Sequence, residues 1–153
     1  PQDFQRLSSR LRPHTEYLYL HLMGEPLLHP RLDELLQCAG EQGFKVIICA
    51  AGMAAHLGGV VAAHTTLPVI GIPVASEPFN GLDALFSFIQ MPPGIPVAAV
   101  TAGKAGGKNS ALYAISILAL SDEVLAQKLK EFRAEQAAQV LKADAELQLS
   151  LQK

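Results

Sequence analysis

Short uncharged apolar runs alternate with stretches of helical periodicity along the chain. Val46–Ala50 (VIICA), Pro68–Pro73 (PVIGIP) and Pro96–Val100 (PVAAV) are apolar at nearly every position. A strand covered on both faces reads this way, whereas a half-exposed strand alternates. Tyr17–Met23 (YLYLHLM) is a fourth strand, followed by a loop over Gly24–Pro30. Helical spacing fills the intervals. Residues 3–12 place Phe4, Leu7 and Leu11 on one face, and Pro13 ends that helix. Arg31–Gln42 carries a stripe of Leu32, Leu35, Leu36 and Ala39, with Gly43 as its stop. Ala54–Ala63 predicts a small-residue helix, and Leu82–Gln90 another. Gly103–Gly107 predicts a glycine-rich turn opening a helix around Ser110–Leu120. Ser121 is placed to cap a last helix, with Asp122 and Glu123 favourable for its dipole and Leu125, Leu129 and Phe132 on its apolar side. Beyond Lys142 this helix is expected to fray. Strand–helix alternation argues an α/β fold with a parallel sheet and right-handed crossovers.

Composition sharpens this picture. Half of the 153 residues are hydrophobic and 17% are charged, which excludes disorder for most of the length. Charge is uneven. Residues 46–119 hold only Glu77, Asp83, Lys104 and Lys108, so the middle reads as core between two solvated ends. Positions 46–76 contain no Asp, Glu, Lys or Arg, yet Pro68, Pro73, Gly52, Gly58, Gly59 and Gly71 punctuate them too often for a spanning helix. A net charge of -2 without a basic cluster argues against nucleic-acid and anionic-membrane partners. Cys38 and Cys49 read as reduced thiols of a cytoplasmic protein, and no signal-peptide pattern stands at the start, although the first residue is Pro1 and not Met.

Two stretches are candidate sites. Gly103–Ser110 (GKAGGKNS) looks superficially like a phosphate loop, but Ala102 and Asn109 break the required pattern. A closely packed helix start and a ligand-facing helix N-terminus both remain readings of it. Ala51–Gly59 (AGMAAHLGG) follows the buried strand Val46–Ala50, at the end of an open α/β sheet where ligands bind. Its small residues allow close approach to the backbone, and His56 is its only titratable side chain. A structural histidine is the plainer reading of His56. His14, His21, His29 and His64 show no metal-ligand spacing.

The segments KVIICAAGMAAHLGGVVAAHTTLPVIGIPV, NGLDALFSFIQMPPGIPVA and AGKAGGKNSALYAISILAL follow one another in order from Lys45 to about Ala143. This block resembles the class I 5-(carboxyamino)imidazole ribonucleotide mutase family (PurE) of purine biosynthesis. The resemblance implies a three-layer α/β sandwich, flavodoxin-like or Rossmann-like, with a C-terminal helical arm. It implies a homo-octamer acting on a small-molecule substrate without cofactor or metal. The reaction moves carboxylate from the exocyclic nitrogen to ring carbon 4, through carbon dioxide released and recaptured in a closed pocket. It also implies roles. Gly52, Ala54, Ala55 and Leu57 match the family's Gly-Ala-Gly-Gly-Ala-Ala-His-Leu loop as substrate-binding positions, with His56 catalytic. Ser76, Asn80, Gly81, Met91 and Pro92 match segments around the substrate pocket. Ala50 and Met53 depart from the family's glycines, and Gly58 from its proline.

Residues 1–44 read as an atypical strand–loop–helix segment leading into a mutase-like core of residues 45–153, the whole forming one compact domain. The family's Gly-Ser-x-Ser-Asp phosphate turn is missing there, as is its Ser-Ala-His-Arg with acid/base histidine and phosphate arginine. Aligned without gaps from Val46, Pro26 falls where that histidine stands and Leu27 where the arginine stands, leaving Glu25 and His29 as the nearest polar substitutes. YLYLHLMGEPLLHPRLDELLQCAGEQGF instead resembles an internal piece of a radical S-adenosylmethionine enzyme, joined near Gly43–Lys45. Radical chemistry needs three clustered cysteines, and the chain has two. The expectations are therefore an impaired mutase subunit, or a non-catalytic oligomer-forming relative.

Overall fold

A computed structural model describes residues 2–15, 17–21 and 31–151, the strand at 17–21 by its backbone. Glu25, Pro26, Leu27, His29 and the loop expected over Gly24–Pro30 lie outside the described residues. The chain forms two compact units, residues 1–114 and 115–153.

The first unit opens with α1 (Gln2–Leu11) and a 3-10 turn (Arg12–His14), followed by β1 (Tyr17–His21) and α2 (Leu32–Glu41). Then come β2 (Val46–Ala51), α3 (His56–Ala63), β3 (Val69–Pro73), α4 (Leu82–Ile89), β4 (Ala98–Ala99) and the start of α5 (Gly103–Leu118). The four strands form one parallel sheet in the order β1-β2-β3-β4. The register pairs Ile48 with Tyr19 on one side and with Ile70 on the other. Three right-handed crossovers advancing in one direction must put their helices on the same face. Accordingly Leu36 of α2 and Leu57 and Val61 of α3 pack with Ile47, Cys49 and Val69. Phe88 of α4 lies on that face as well, against Gly71. The alternate residues Ile48, Ile70 and Ile72 point the other way and are buried. The first turns of α5 lie against Ile72, where Gly106 has no room for a Cβ. The result is the expected α/β arrangement, with helices on both faces of a parallel sheet.

Four details of this first unit differ from the expectation. The glycine-rich turn at Gly103–Gly107 is already helix, because Gly106 lets α5 press onto the Thr101 carbonyl and Ile72. That contact is the closely packed helix start. The strand expected over Pro96–Val100 shortens to Ala98–Ala99, with the Val100 amide still donating to the Gly71 carbonyl at 3.0 Å; Pro96 has no N–H to extend the pairing upstream. The inward face of α1 is Phe4 and Ser8, with Leu7 58% and Leu11 40% exposed. Phe4 docks on Ala39 and Phe44, and Ser8 tolerates burial because its hydroxyl donates to the Phe4 carbonyl at 2.7 Å. Finally, α3 starts at His56 instead of Ala54, for reasons of backbone handedness given below.

In the second unit α6 spans Glu123–Leu151. Its cap is Asp122, whose Oδ1 accepts the Leu125 amide at 3.0 Å, and not Ser121, whose hydroxyl donates to the Leu118 carbonyl. Asp122 immediately precedes the first helical residue, which is where a capping oxygen must sit. The helix does not fray at Lys142 but continues to Leu151 with exposed side chains. Among the described residues, no helix is long and apolar enough to cross a membrane.

Phe88 is fully buried, in space left by two glycines: a Cβ at Gly58 or at Gly71 would overlap its ring. Gly71→Ala should therefore cost about 1–3 kcal/mol of overpacking in urea unfolding. Adding Phe88→Leu should make the pair less destabilising than the sum of the singles, because the smaller side chain vacates the disputed volume. Strictly additive losses would contradict the contact.

Burial pushes the Cys49 thiol up to about 12 from an ordinary value near 9. The unfolded chain loses this proton near pH 9 and the folded chain holds it to about pH 12, so stability falls as pH rises through that window and is untouched below it. Iodoacetamide at mildly alkaline pH should label the half-buried Cys38 in the native protein and reach Cys49 only after denaturant is added. Equal native labelling of both thiols would refute this.

Candidate active site at the C-terminal end of the sheet

Two turns meet where β2 and β3 end. The first, Gly52–Ala55, joins β2 to α3; the second, Val74–Gly81, joins β3 to α4. The Val74 amide donates to the Ala51 carbonyl at 2.9 Å, which holds the turns together as the ladder ends. The Met53 amide donates to Ser76 Oγ at 2.8 Å. Gly52 sits beneath both contacts: a Cβ there would stand 3.0 Å from the Val74 carbonyl oxygen and 3.1 Å from Ser76 Oγ.

Backbone handedness shapes the first turn. Met53 has φ 54° and Ala55 φ 41°, in the left-handed region that side chains other than glycine seldom adopt. Neither residue can extend α3 backwards, so the helix begins at His56. Ala55 is buried with Ala84 and Phe88, which fixes the chain just before the helix. His56 follows as the first residue of α3, with an exposed side chain. Leu57 turns into the core beside Ile47 and Cys49, so its backbone alone faces the turn's surroundings. The amides of Met53 and Ala55 are already engaged, the latter with the Gly52 carbonyl at 3.1 Å. The second turn carries left-handed Asn80 (φ 51°) and Gly81 (φ 86°), and Gly81 approaches the Ala75 Cα too closely for a Cβ.

The structure thus brings Gly52, Ala54, Ala55, His56, Ser76, Asn80 and Gly81 to one end of the sheet. Met91 and Pro92 follow α4, where the Met91 side chain packs against Gly59, one turn into α3 from His56, and Pro92 is exposed. His21, passed over in the sequence, is opposite Ala50 in the register, at the same sheet end as the turn. Sequence reading also missed a shallow cavity of about 380 Å³ beyond β4, lined by Ala98, Ala99, Val100, Thr101, Asn109 and Tyr113. Asn109 Nδ2 donates to Thr101 Oγ1 there at 2.7 Å. Its one sequence signal is the polar pair Lys108–Asn109 interrupting a small-residue run. Among the described residues, no group of three or more His, Cys, Asp or Glu could hold a metal ion.

Comparison with known proteins places this turn in context. The AIR carboxylase family matches residues 28–139. An N5-carboxyaminoimidazole ribonucleotide mutase of Bacillus subtilis (strain 168) is 52% identical over 114 residues, 74% of this chain and 70% of the relative. The mutase of Pyrococcus abyssi is 53% identical over 103 residues, 67% of this chain and 58% of the relative. That of Escherichia coli (strain K12) is 48% identical over 111 residues, 72% and 66% respectively. The chain therefore spans between 58% and 70% of the length of these relatives. The match corrects one boundary. Residues 28–44, read as foreign, lie inside the family region, and α2 is part of it. The radical S-adenosylmethionine resemblance of the first segment finds no support in these relatives. With the turn between β2 and α3 and the whole of β2 to α5 inside the matched region, the chain belongs to the AIR carboxylase family.

Proposed function

We propose that the chain is a subunit of a carboxyaminoimidazole ribonucleotide mutase. Its substrate carries carboxylate on the exocyclic nitrogen of an aminoimidazole ribonucleotide, and its product carries it on ring carbon 4. The N–C bond breaks to give carbon dioxide, carbon 4 attacks it, and the carbon 4 proton ends on the exocyclic nitrogen. The observation that carries this reading is the turn Gly52–Ala55 leading into His56. It stands at the C-terminal end of a central strand, where open parallel sheets bind ligands, inside the region shared with relatives named as mutases. Small residues let a planar ring approach the backbone, His56 supplies an exposed imidazole beside it, and the start of α3 favours a carboxylate. No cofactor is required by this scheme.

The chain by itself is a slow mutase. The serine-aspartate turn and the arginine that would grip the ribonucleotide phosphate are missing from its first segment, and charge-assisted bonds of that kind are the strong ones. Phosphate binding also holds the base in register during transfer. Replacing residues 1–44 by a complete mutase start should raise turnover by roughly 10²–10⁴-fold, the usual contribution of a positioned acid/base group. In the repaired chain, His56→Ala should lower activity again. Equal turnover of the original and repaired chains would refute the impairment, and a repaired chain indifferent to His56→Ala would refute the role of His56. If the repaired chain is inactive altogether, the non-catalytic oligomer-forming reading takes its place.

The subunit self-associates, as an octamer. Leu82, Phe86 and Ile89 at i, i+4 and i+7 of α4, with Phe79, form an apolar stripe 50–63% exposed. The thiols of Cys38 and Cys49 are both free, in keeping with a cytoplasmic enzyme. Light scattering should give a mass well above the 16.3 kDa of one chain, and Phe86→Glu should lower it. A monomer at micromolar concentration would overturn this.

A further inference from the structure

We propose that Ser76 is a positioning residue, whose hydroxyl oxygen holds the Met53 amide and so fixes the left-handed turn that delivers His56 to α3. The inference rests on reading that turn as the substrate end of the pocket, and it assigns Ser76 to the turn instead of to the substrate. Three observations carry it. The Met53 N–H···Oγ contact of 2.8 Å spans 23 residues and is the side-chain link between the two turns. Gly52 leaves the space that Ser76 occupies, since a Cβ there would stand 3.1 Å from Oγ and 3.4 Å from the Ser76 Cβ. Met53 itself is held at φ 54°, a conformation a methionine does not keep without support.

The physical logic follows. A left-handed non-glycine residue relaxes unless its neighbours over-determine it. Ala55, two residues on, is held by burial against Ala84 and Phe88. Met53 is 63% exposed, so packing does not hold it. A hydrogen bond to its amide does. Ser76 in turn is tied to the sheet through Val74, whose amide donates to the Ala51 carbonyl at 2.9 Å. The geometry of the turn is thereby referred to the end of the ladder between β2 and β3. Releasing Met53 frees Gly52–Ala54 to sample other shapes, and a misplacement of about 1 Å near a reacting group is enough to lose rate.

The test uses the full chain, ¹⁵N-labelled, as wild type, Ser76→Ala and Ser76→Thr. The Met53 amide should exchange with solvent about 5–10-fold faster in Ser76→Ala, the loss expected for one hydrogen bond, while Ser76→Thr restores protection. The Gln90 amide, which donates to Phe86 at the far end of α4, should not change. In steady-state assays with the carboxyaminoimidazole ribonucleotide on the chain with a complete mutase start, Ser76→Ala should lower kcat more than it raises KM, with rescue by threonine. Met53→Gly, at ease in the left-handed region, should shrink the effect of Ser76→Ala on kcat. An unchanged Met53 amide in Ser76→Ala overturns the proposal. So does a rise in KM alone, which would make Ser76 a direct substrate contact. If the wild-type chain with the complete start turns over no substrate, the functional reading fails, and the exchange data still decide the role of Ser76.

Discussion

The ring of Phe88 occupies volume that exists only because positions 58 and 71 carry no side chain. Through that one insertion α4 is locked simultaneously to α3, by way of Gly58, and to β3, by way of Gly71. Ala55 and Ala84 close the same cluster. The starts of both helices at the C-terminal end of the sheet take their position from this wedge. Ala55 is the residue before α3, so its burial under Phe88 sets where His56 emerges. Ala84 lies in the first turn of α4, so its burial sets where Asn80 and Gly81 stand. A core contact of ordinary hydrophobic character thus determines the placement of polar and left-handed residues that contribute nothing to the core themselves.

The sequence revealed the strands more fully than the turns, and the reason is physical. A doubly covered strand must be apolar throughout, and VIICAA and VIGIP are unmistakable for that reason. Burial leaves a compositional record. Handedness does not: nothing in Met53 or Ala55 announces a positive φ, because that conformation is imposed by Ser76 and by Phe88 from elsewhere in the chain. The start of α3 was accordingly placed two residues early. Gly103–Gly107 misled in the opposite sense. Glycine signals either a turn or a close approach, and at Gly106 it is the close approach to Thr101 and Ile72 that the fold uses. The inward face of α1 went to Ser8 instead of Leu7 because a hydroxyl that satisfies itself on the preceding turn can be buried as readily as a methyl group.

The candidate site was legible to the extent that it is local. Gly52 through His56 form one continuous segment, and their position after a buried strand could be inferred without a structure. Ser76 was found through resemblance, but its attachment to the Met53 amide is a contact across 23 residues that no spacing rule discloses. Met91 likewise reaches α3 through a tertiary contact, its side chain lying against Gly59, 32 residues earlier in the chain. The upstream family boundary is hidden for a related reason: α2 contributes Leu36 and Ala39 to the core and no ligand-binding motif, so residues 28–44 carry only the pattern of a packed helix.

The strand order β1-β2-β3-β4 means that β2, β3 and β4 each pair with the strand made just before. Among the described strands, none waits for a later one to be inserted between it and its neighbour. Each strand–helix unit can therefore add to an existing edge as the chain lengthens, and the helices of successive crossovers land side by side on the same face. Loop closure at each step spans one helix and its turns, which keeps the entropic toll of parallel pairing close to its minimum. Among the described strands, β2 therefore finds a docked partner before β3 has been made, and β3 before β4.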